Sequence, residues 1–239
     1  MNDDAPSAAA QLPSPESGSA PDGRPVVRVD VWSDVACPWC FIGKRTFEEA
    51  VSRRPDLDVR VRWHSFELSP DTPVDFEGDE VEFLARHKGL PEDQVREMLA
   101  SVTARAAEVG LAYDFDRLQH TNTVKAHQLL HLADRHGLQG AVKERLLRAH
   151  FVEGRHVGRV ADLADLGAEV GLDRDEVVAA LEQDALLDEV RADQDEASRL
   201  GIRGVPFFVF DGRFGVSGAQ APETFVQVLD RVRAEAVPA

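Results

Sequence analysis

Two cysteines three residues apart, set directly behind a β-branched run, constrain this chain more than any other feature. Residues 26–43 read V-V-R-V-D-V-W-S-D-V-A-C-P-W-C-F-I-G, and Cys37 and Cys40 are the only cysteines among 239 residues. The alternating valines predict a strand, and Ser33-Asp34 break it. Pro38 suits the first position of a helix, where its missing N–H costs nothing and its fixed φ starts the turn. A cysteine at the helix N-cap and another one turn on bring two sulfurs within bonding range. The free N–H groups of that turn and the positive end of the helix dipole favour a thiolate on Cys37. Such settings bring a cysteine pKa from about 8.5 down to roughly 3.5–7.5. Cys37 is thus the expected nucleophile, and Cys40, a turn inside, the expected resolving thiol. A structural zinc site takes four ligands. The chain has no second C-x-x-C, so the residues point to a redox pair and no metal is expected.

The segment V-D-V-W-S-D-V-A-C-P-W-C-F-I-G-K resembles the active-site segment of the DsbA-like thiol oxidoreductases, specifically their FrnE-like branch. A second stretch in the same order, G-I-R-G-V-P-F-F-V-F at 201–210 followed by V-S-G-A-Q at 216–220, is also similar to that family. The resemblance implies an α/β protein, a thioredoxin-like fold carrying a large all-helical insertion. It implies a cis Val205–Pro206 bond packed against the cysteines. The Val205 backbone would then face the disulfide, where a substrate strand could hydrogen-bond as a short piece of β-augmentation. Pro38 and Trp39, between the cysteines, are expected to tune the redox potential. Trp39 reads equally well as a packing residue or an apolar patch for docking an unfolded client. Many relatives carry a buried acidic residue six positions before the first cysteine, but Val31 stands there in this chain. Asp30 is one residue off, which places it on the opposite strand face. Neither Asp30 nor Glu67 is assigned the role of proton shuttle.

The chain divides accordingly. Residues 1–25 are rich in Ala, Ser, Pro and acidic groups without apolar periodicity and are expected to be a disordered tail. Residues 26–76 give strand, helix and strand, the first half of a thioredoxin-like domain. Residues 77–183 show helical period throughout and make the inserted helical domain. Residues 184–239 supply the second half: a long helix over 184–200, strands over 205–210 and 213–216 around Asp211-Gly212, and a closing helix over 222–236.

The tail lacks the basic start and continuous apolar core of a signal peptide, so a cytoplasmic protein is expected, where disulfides are usually transient and catalytic. The net charge of −16 argues against nucleic-acid and anionic-membrane partners, and no apolar run approaches the roughly 20 residues of a membrane span. His127 and His131 stand at i, i+4 without an acidic partner at helical spacing, which argues against a metal pair. Asn122 and His127 are expected to cap and pack the helix roofing the cysteine cleft, with substrate contact a second role.

The function expected is dithiol–disulfide exchange or isomerisation through C-P-W-C, without a resident cofactor. The partners would be thiol- or disulfide-bearing protein clients, or glutathione as a redox partner. The alternative is a glutathione-dependent transferase or isomerase similar to the kappa-class and 2-hydroxychromene-2-carboxylate isomerase enzymes. Those enzymes typically place serine at the nucleophile and have no resolving cysteine, so Cys40 counts against them. A holdase with an inert C-x-x-C is the non-enzymatic rival.

Overall fold

A computed structural model describes residues 20–236 and shows four strands in the order β2-β1-β3-β4. The valine alternation forms β1 (Val26–Ser33), with Val27, Val29 and Val31 buried on one face and Arg28 and Asp30 half-buried on the other. Helix α1 (Pro38–Ser52) leads to β2 (Asp58–Ser65), which pairs in parallel with β1 from Val26↔Asp58 to Ser33↔Ser65. Six helices follow: α2 (Glu80–Lys88), α3 (Glu92–Glu108), α4 (Val124–Arg135), α5 (Gln139–Phe151), α6 (Val160–Ala168) and α7 (Arg174–Glu182). The chain then returns through α8 (Leu187–Arg199), β3 (Phe207–Phe210), β4 (Phe214–Ser217) and α9 (Pro222–Ala236), with β3 antiparallel to both β1 and β4. This is the expected thioredoxin-like α/β fold with a helical insertion.

Strand β4 is shifted by one residue from the expected 213–216, and three further boundaries differ from the sequence reading, each for a local reason. Residues 1–19 lie outside the described residues, but 20–25, expected as tail, are folded. Ala20 is buried, Gly23 N–H donates to Ala20 C=O at 2.8 Å, and Arg24 Nη1 donates to Leu57 C=O at 2.9 Å. Helix α8 begins at Leu187 rather than 184, because Asp184 takes a left-handed φ of 53° and its carboxylate accepts from Lys125 and Gln128, both at 2.7 Å. Strand β3 begins at Phe207 rather than 205, because Pro206 has no N–H to give to the ladder; the Val205–Pro206 bond is cis, as expected. Asp211 and Gly212, at φ 47° and 66°, make the tight β3–β4 turn that favours these residue types.

Helix α1 packs into two of the apolar clusters of the core, one on each side. On the sheet side, Phe47 and Ala50 pack with Val27, Val29 and Val31 of β1, Phe208 and Phe210 of β3, and Phe225 and Leu229 of α9. On the insertion side, Phe41 and Ile42 pack with Val102 and Ala106 of α3, Tyr113, and Leu147 and Phe151 of α5. Truncating such a buried phenylalanine typically costs about 3–5 kcal/mol. Gly43 lets α1 approach the loop before β3 closely. A Cβ there would sit 2.9 Å from Pro206 Cγ and 3.4 Å from Ala219 Cβ.

The opposite sheet face is fastened to α8 by charge. His64 Nδ1 and Nε2 lie 2.7 Å from Asp193 Oδ1 and 2.8 Å from Asp30 Oδ1. Asp193 Oδ2 also accepts the Ser65 N–H at 2.7 Å and lies 3.1 Å from His131 Nε2. Trp32 stacks on His64 with ring centroids 4.4 Å apart and donates its indole N–H to Asp193 C=O at 3.1 Å. Burial opposes a charge on His64, but the two aspartates outweigh it and raise the ring from 6.5 to about 9. Burial likewise opposes charge on Asp193, but His131 and His64 hold its carboxyl far below the usual range. His64, Asp193 and Glu196 are spaced closely enough for a metal. Both His64 nitrogens are already engaged by carboxylates, so the cluster is accounted for as an ion network.

Two outcomes follow from this packing. His64 gains affinity for its proton on folding, so its stabilisation is full below pH 6.5 and is lost as pH rises through about 9. Asp193 loses affinity, so its share is present above pH 3.8 and is lost below it. Thermal melts across pH should show His64→Gln losing on the order of 3 kcal/mol near pH 6 and losing the alkaline decline seen in the wild type; parallel pH profiles for both proteins would refute the assignment. Gly43→Ala should destabilise by about 1–3 kcal/mol through the clash with Pro206, read by denaturant titration.

Candidate active site

The N-terminus of α1 meets the loop before β3 on one side and the insertion on the other. The loop 34–36 leaves β1, Cys37 occupies the N-cap at φ −93° and ψ 111°, and Pro38 starts the helix. Tyr113 Oη donates to Pro38 C=O at 2.7 Å and pins the turn from the insertion side. Both cysteines are free thiols, with Cys37 4% and Cys40 1% exposed. Cys37 Sγ lies 3.5 Å from Val205 C=O, so the residue before Pro206 presents its carbonyl to the outer sulfur. Trp39 stands out at 42% exposure, and Leu68 beside it at 43%.

The two thiols titrate as a pair. The hydrogen bond to Cys40, burial and the charge of Cys40 push the Cys37 thiol up. Burial acts upward on Cys40 as well, but the hydrogen bond from Cys37, the charge of Lys143 and the Ser33 hydroxyl outweigh it and lower Cys40. The two sulfurs thus share one negative charge, which the charge of Lys143 and the Ser33 hydroxyl favour.

Beneath the pair lies a second buried charge. Asp34, 1% exposed, accepts from Leu68 N–H at 2.8 Å and Ala36 N–H at 3.3 Å, and its Oδ1 is 3.2 Å from His127 Nε2. Burial alone would raise its carboxyl; the His127 bond and charge, with help from Leu68 N–H and Thr123, hold it at about 2. Lys143 on α5 is fully buried, with Nζ 3.4 Å from Ser33 C=O and 5.6 Å from the centroid of the Trp63 ring.

A cleft of about 380 Å³ opens over Cys37 between the 66–70 loop and the insertion. Phe83, Leu84, Met98, Leu99 and Val102 form its apolar walls, Pro38 and Trp39 its edge, and Glu80 and His120 a polar spot. Glu80 Oε2 lies 2.8 Å from His120 Nδ1, while His120 Nε2 is buried without a hydrogen bond. A wider depression of about 550 Å³ between α2, α3 and residues 113–116 touches neither cysteine.

The structure thus brings Cys37, Cys40, Pro38, Trp39, Val205 and Pro206 together. It does not bring Asn122 or His127 to the cleft lining. Asn122 Oδ1 accepts the Val124 N–H at 2.9 Å at the start of α4 and its Nδ2 donates to Pro70 C=O, while His127 is sealed under Asp34. Asp30 and Glu67 are likewise committed elsewhere, to His64 and to Gln194 and Arg191. Sequence reasoning missed Asp34, Ser33, Tyr113 and Lys143. One signal was available: Lys143 lies on the stripe of α5 shared by Gln139, Leu146, Leu147 and His150, all buried, where a lysine has no place unless something answers its charge.

Comparison with known proteins agrees with this geometry. Residues 28–230 match the DSBA-like thioredoxin domain. The crystal structure of a probable DsbA oxidoreductase from Streptomyces coelicolor is 41% identical, superposes with a TM-score of 0.83, and is covered over 92% of its length by 89% of this chain. An uncharacterised Bacillus subtilis protein, YwbO, is 30% identical over 210 residues, spanning 85% of this chain and 96% of that protein. The cytosolic disulfide reductase DsbM of Pseudomonas aeruginosa, solved with GSH, shares the fold at 22% identity and a TM-score of 0.59, over 87% of this chain and 99% of its own. With a C-x-x-C pair at the head of α1, a cis-proline loop against it and a helical insertion above, this chain belongs to the DSBA-like thioredoxin domain family and is an enzyme of the disulfide oxidoreductase class.

Proposed function

We propose that the chain exchanges disulfides with Cys37 as the attacking sulfur and Cys40 as the resolving one. The observation that carries this is access: Cys37 lines the cleft and Cys40 does not. A substrate disulfide can therefore reach only the outer sulfur. Cys37 attacks as thiolate, the substrate S–S bond breaks and the first substrate sulfur leaves as thiolate. Cys40 then gives its proton to that leaving group and attacks Cys37 Sγ, which breaks the mixed disulfide, releases the second substrate sulfur as a thiolate and closes the Cys37–Cys40 bond. The Val205 carbonyl beside Cys37 offers a substrate strand one hydrogen-bond acceptor, and exposed Trp39 and Leu68 offer it apolar contact.

A second reading takes glutathione or another small thiol compound as the substrate. It is favoured by the cleft itself, whose volume falls in the range of small-molecule sites and which holds the Glu80–His120 pair with an unpartnered Nε2. Retention of Cys40 favours disulfide exchange with such a compound over a transferase reaction.

Cys40→Ser should trap a mixed disulfide on Cys37 with oxidised glutathione or an unfolded disulfide-bearing protein, located by peptide mass spectrometry. Cys37→Ser should trap none and should lose at least about a hundredfold in turnover, a size that removal of a nucleophile commonly exceeds. Adducts on Cys40 in the Cys37→Ser protein, or unchanged turnover, would reverse the assignment. In glutathione buffers the wild type should show one cooperative two-electron transition; a midpoint near −120 to −180 mV marks an oxidant or isomerase, and one near about −270 mV a reductant.

A further inference from the structure

Tyr113 is the only tyrosine in the chain, and its hydroxyl reaches the backbone between the two cysteines. It belongs to the segment joining α3 to α4, and Asp114 N–H anchors that segment to the end of α5 by donating to Phe151 C=O at 2.8 Å. The ring is 7% exposed and is held by Phe151, Phe115 and Phe41, with centroids 4.9, 5.7 and 6.1 Å away. Packing of this kind sets where the hydroxyl points, and it donates to Pro38 C=O at 2.7 Å. Burial and the charges of Cys37 and Cys40 make its proton harder to remove, against a smaller opposing effect of Arg45, so the group remains a donor.

Pro38 opens α1, and a carbonyl at the first helical position already takes the N–H four residues on. Tyr113 is therefore not needed to satisfy that oxygen. The carbonyl belongs to the same peptide unit as the Trp39 N–H. Cys37 holds the N-cap, and an acceptor there is served by the N–H groups of the second and third helical positions, here Trp39 and Cys40. Cys40 N–H also serves Cys37 C=O, at 3.0 Å. Trp39 N–H has no acceptor among the described residues and is the donor most open to a thiolate. A donor on the carbonyl of a peptide polarises the N–H at its other end, strengthening that bond by roughly 10–30%, and it also fixes the peptide plane.

We propose that Tyr113 is a positioning residue for the redox pair: through the Pro38–Trp39 peptide it strengthens and aims the N–H that stabilises the charged sulfur of Cys37. The inference rests on the disulfide-exchange reading above. In this role the tyrosine transfers neither a proton nor an electron. It favours the reduced site, where a sulfur carries charge, over the disulfide, where none does. Because Tyr113 stands on the insertion, the helical domain then contributes to the redox equilibrium of the pair as well as covering it.

The test exploits the single tyrosine. Expression with meta-fluorotyrosine replaces Tyr113 alone by a more acidic phenol of nearly the same shape, and Tyr113→Phe removes the hydroxyl while keeping the ring. Ultraviolet thiolate titration and the glutathione redox equilibrium are measured for both and for the wild type. Tyr113→Phe should raise the apparent thiolate pKa by about half a unit and shift the equilibrium about threefold toward the disulfide, equivalent to about 14 mV. The fluorinated protein should move both readings the opposite way. A tyrosine that only packs gives no such order: superimposable titrations, or shifts of the same sign in both proteins, would overturn the proposal and leave the redox function standing. Absence of any glutathione transition in the wild type would instead overturn the function. If Tyr113→Phe does not fold, the fluorinated protein still decides, since a lowered thiolate pKa supports the proposal and an unchanged or raised one overturns it.

Discussion

Helix α1 is buried on two sides at once, and the remainder of the structure depends on that. A helix normally turns one stripe to the core and the other to water. Here Phe47 and Ala50 face the sheet while Phe41 and Ile42 face the insertion, so α1 belongs to an apolar cluster on each side. The consequence for chemistry is rigidity at one end. The N-terminus of α1 is held by Tyr113 at Pro38 C=O and by Pro206 against Gly43, and the cysteines are fixed by that scaffold rather than by a mobile loop.

The buried charges around the sheet are answered locally. His64 sits between Asp30 and Asp193, which raise its ring to about 9, and Asp34 accepts from Leu68 and Ala36 N–H beside His127, which holds its carboxyl at about 2. These contacts lock α8 and α4 to the strands. Lys143 is also buried, on a long hydrogen bond to Ser33 C=O and the face of Trp63.

The insertion decides what can approach. A thioredoxin-like half by itself would leave the head of α1 open along one side. Here α2 and α3 raise an apolar wall over Cys37 and enclose a cleft in which Glu80 and His120 form a hydrogen-bonded pair. Exposed Trp39 and Leu68 lie at its rim, so a disulfide must present itself beside apolar surface to reach the sulfur.

The local features were determined by the sequence alone. Alternating Val27, Val29 and Val31 dictate a half-buried strand, Pro38 behind Cys37 dictates a helix start, and Asp211-Gly212 dictates a tight turn, because each depends on backbone sterics and period over a few residues. The order of strands and helices followed from the same signals. What the tertiary structure decided is which charges surround the site. Lys143, 103 positions past Cys40, comes in from α5 to act on the cysteine pair, and Asp34 meets His127, 93 residues away. Electrostatic interaction falls with distance in space and with solvent access, neither of which is written in the spacing of residues along the chain.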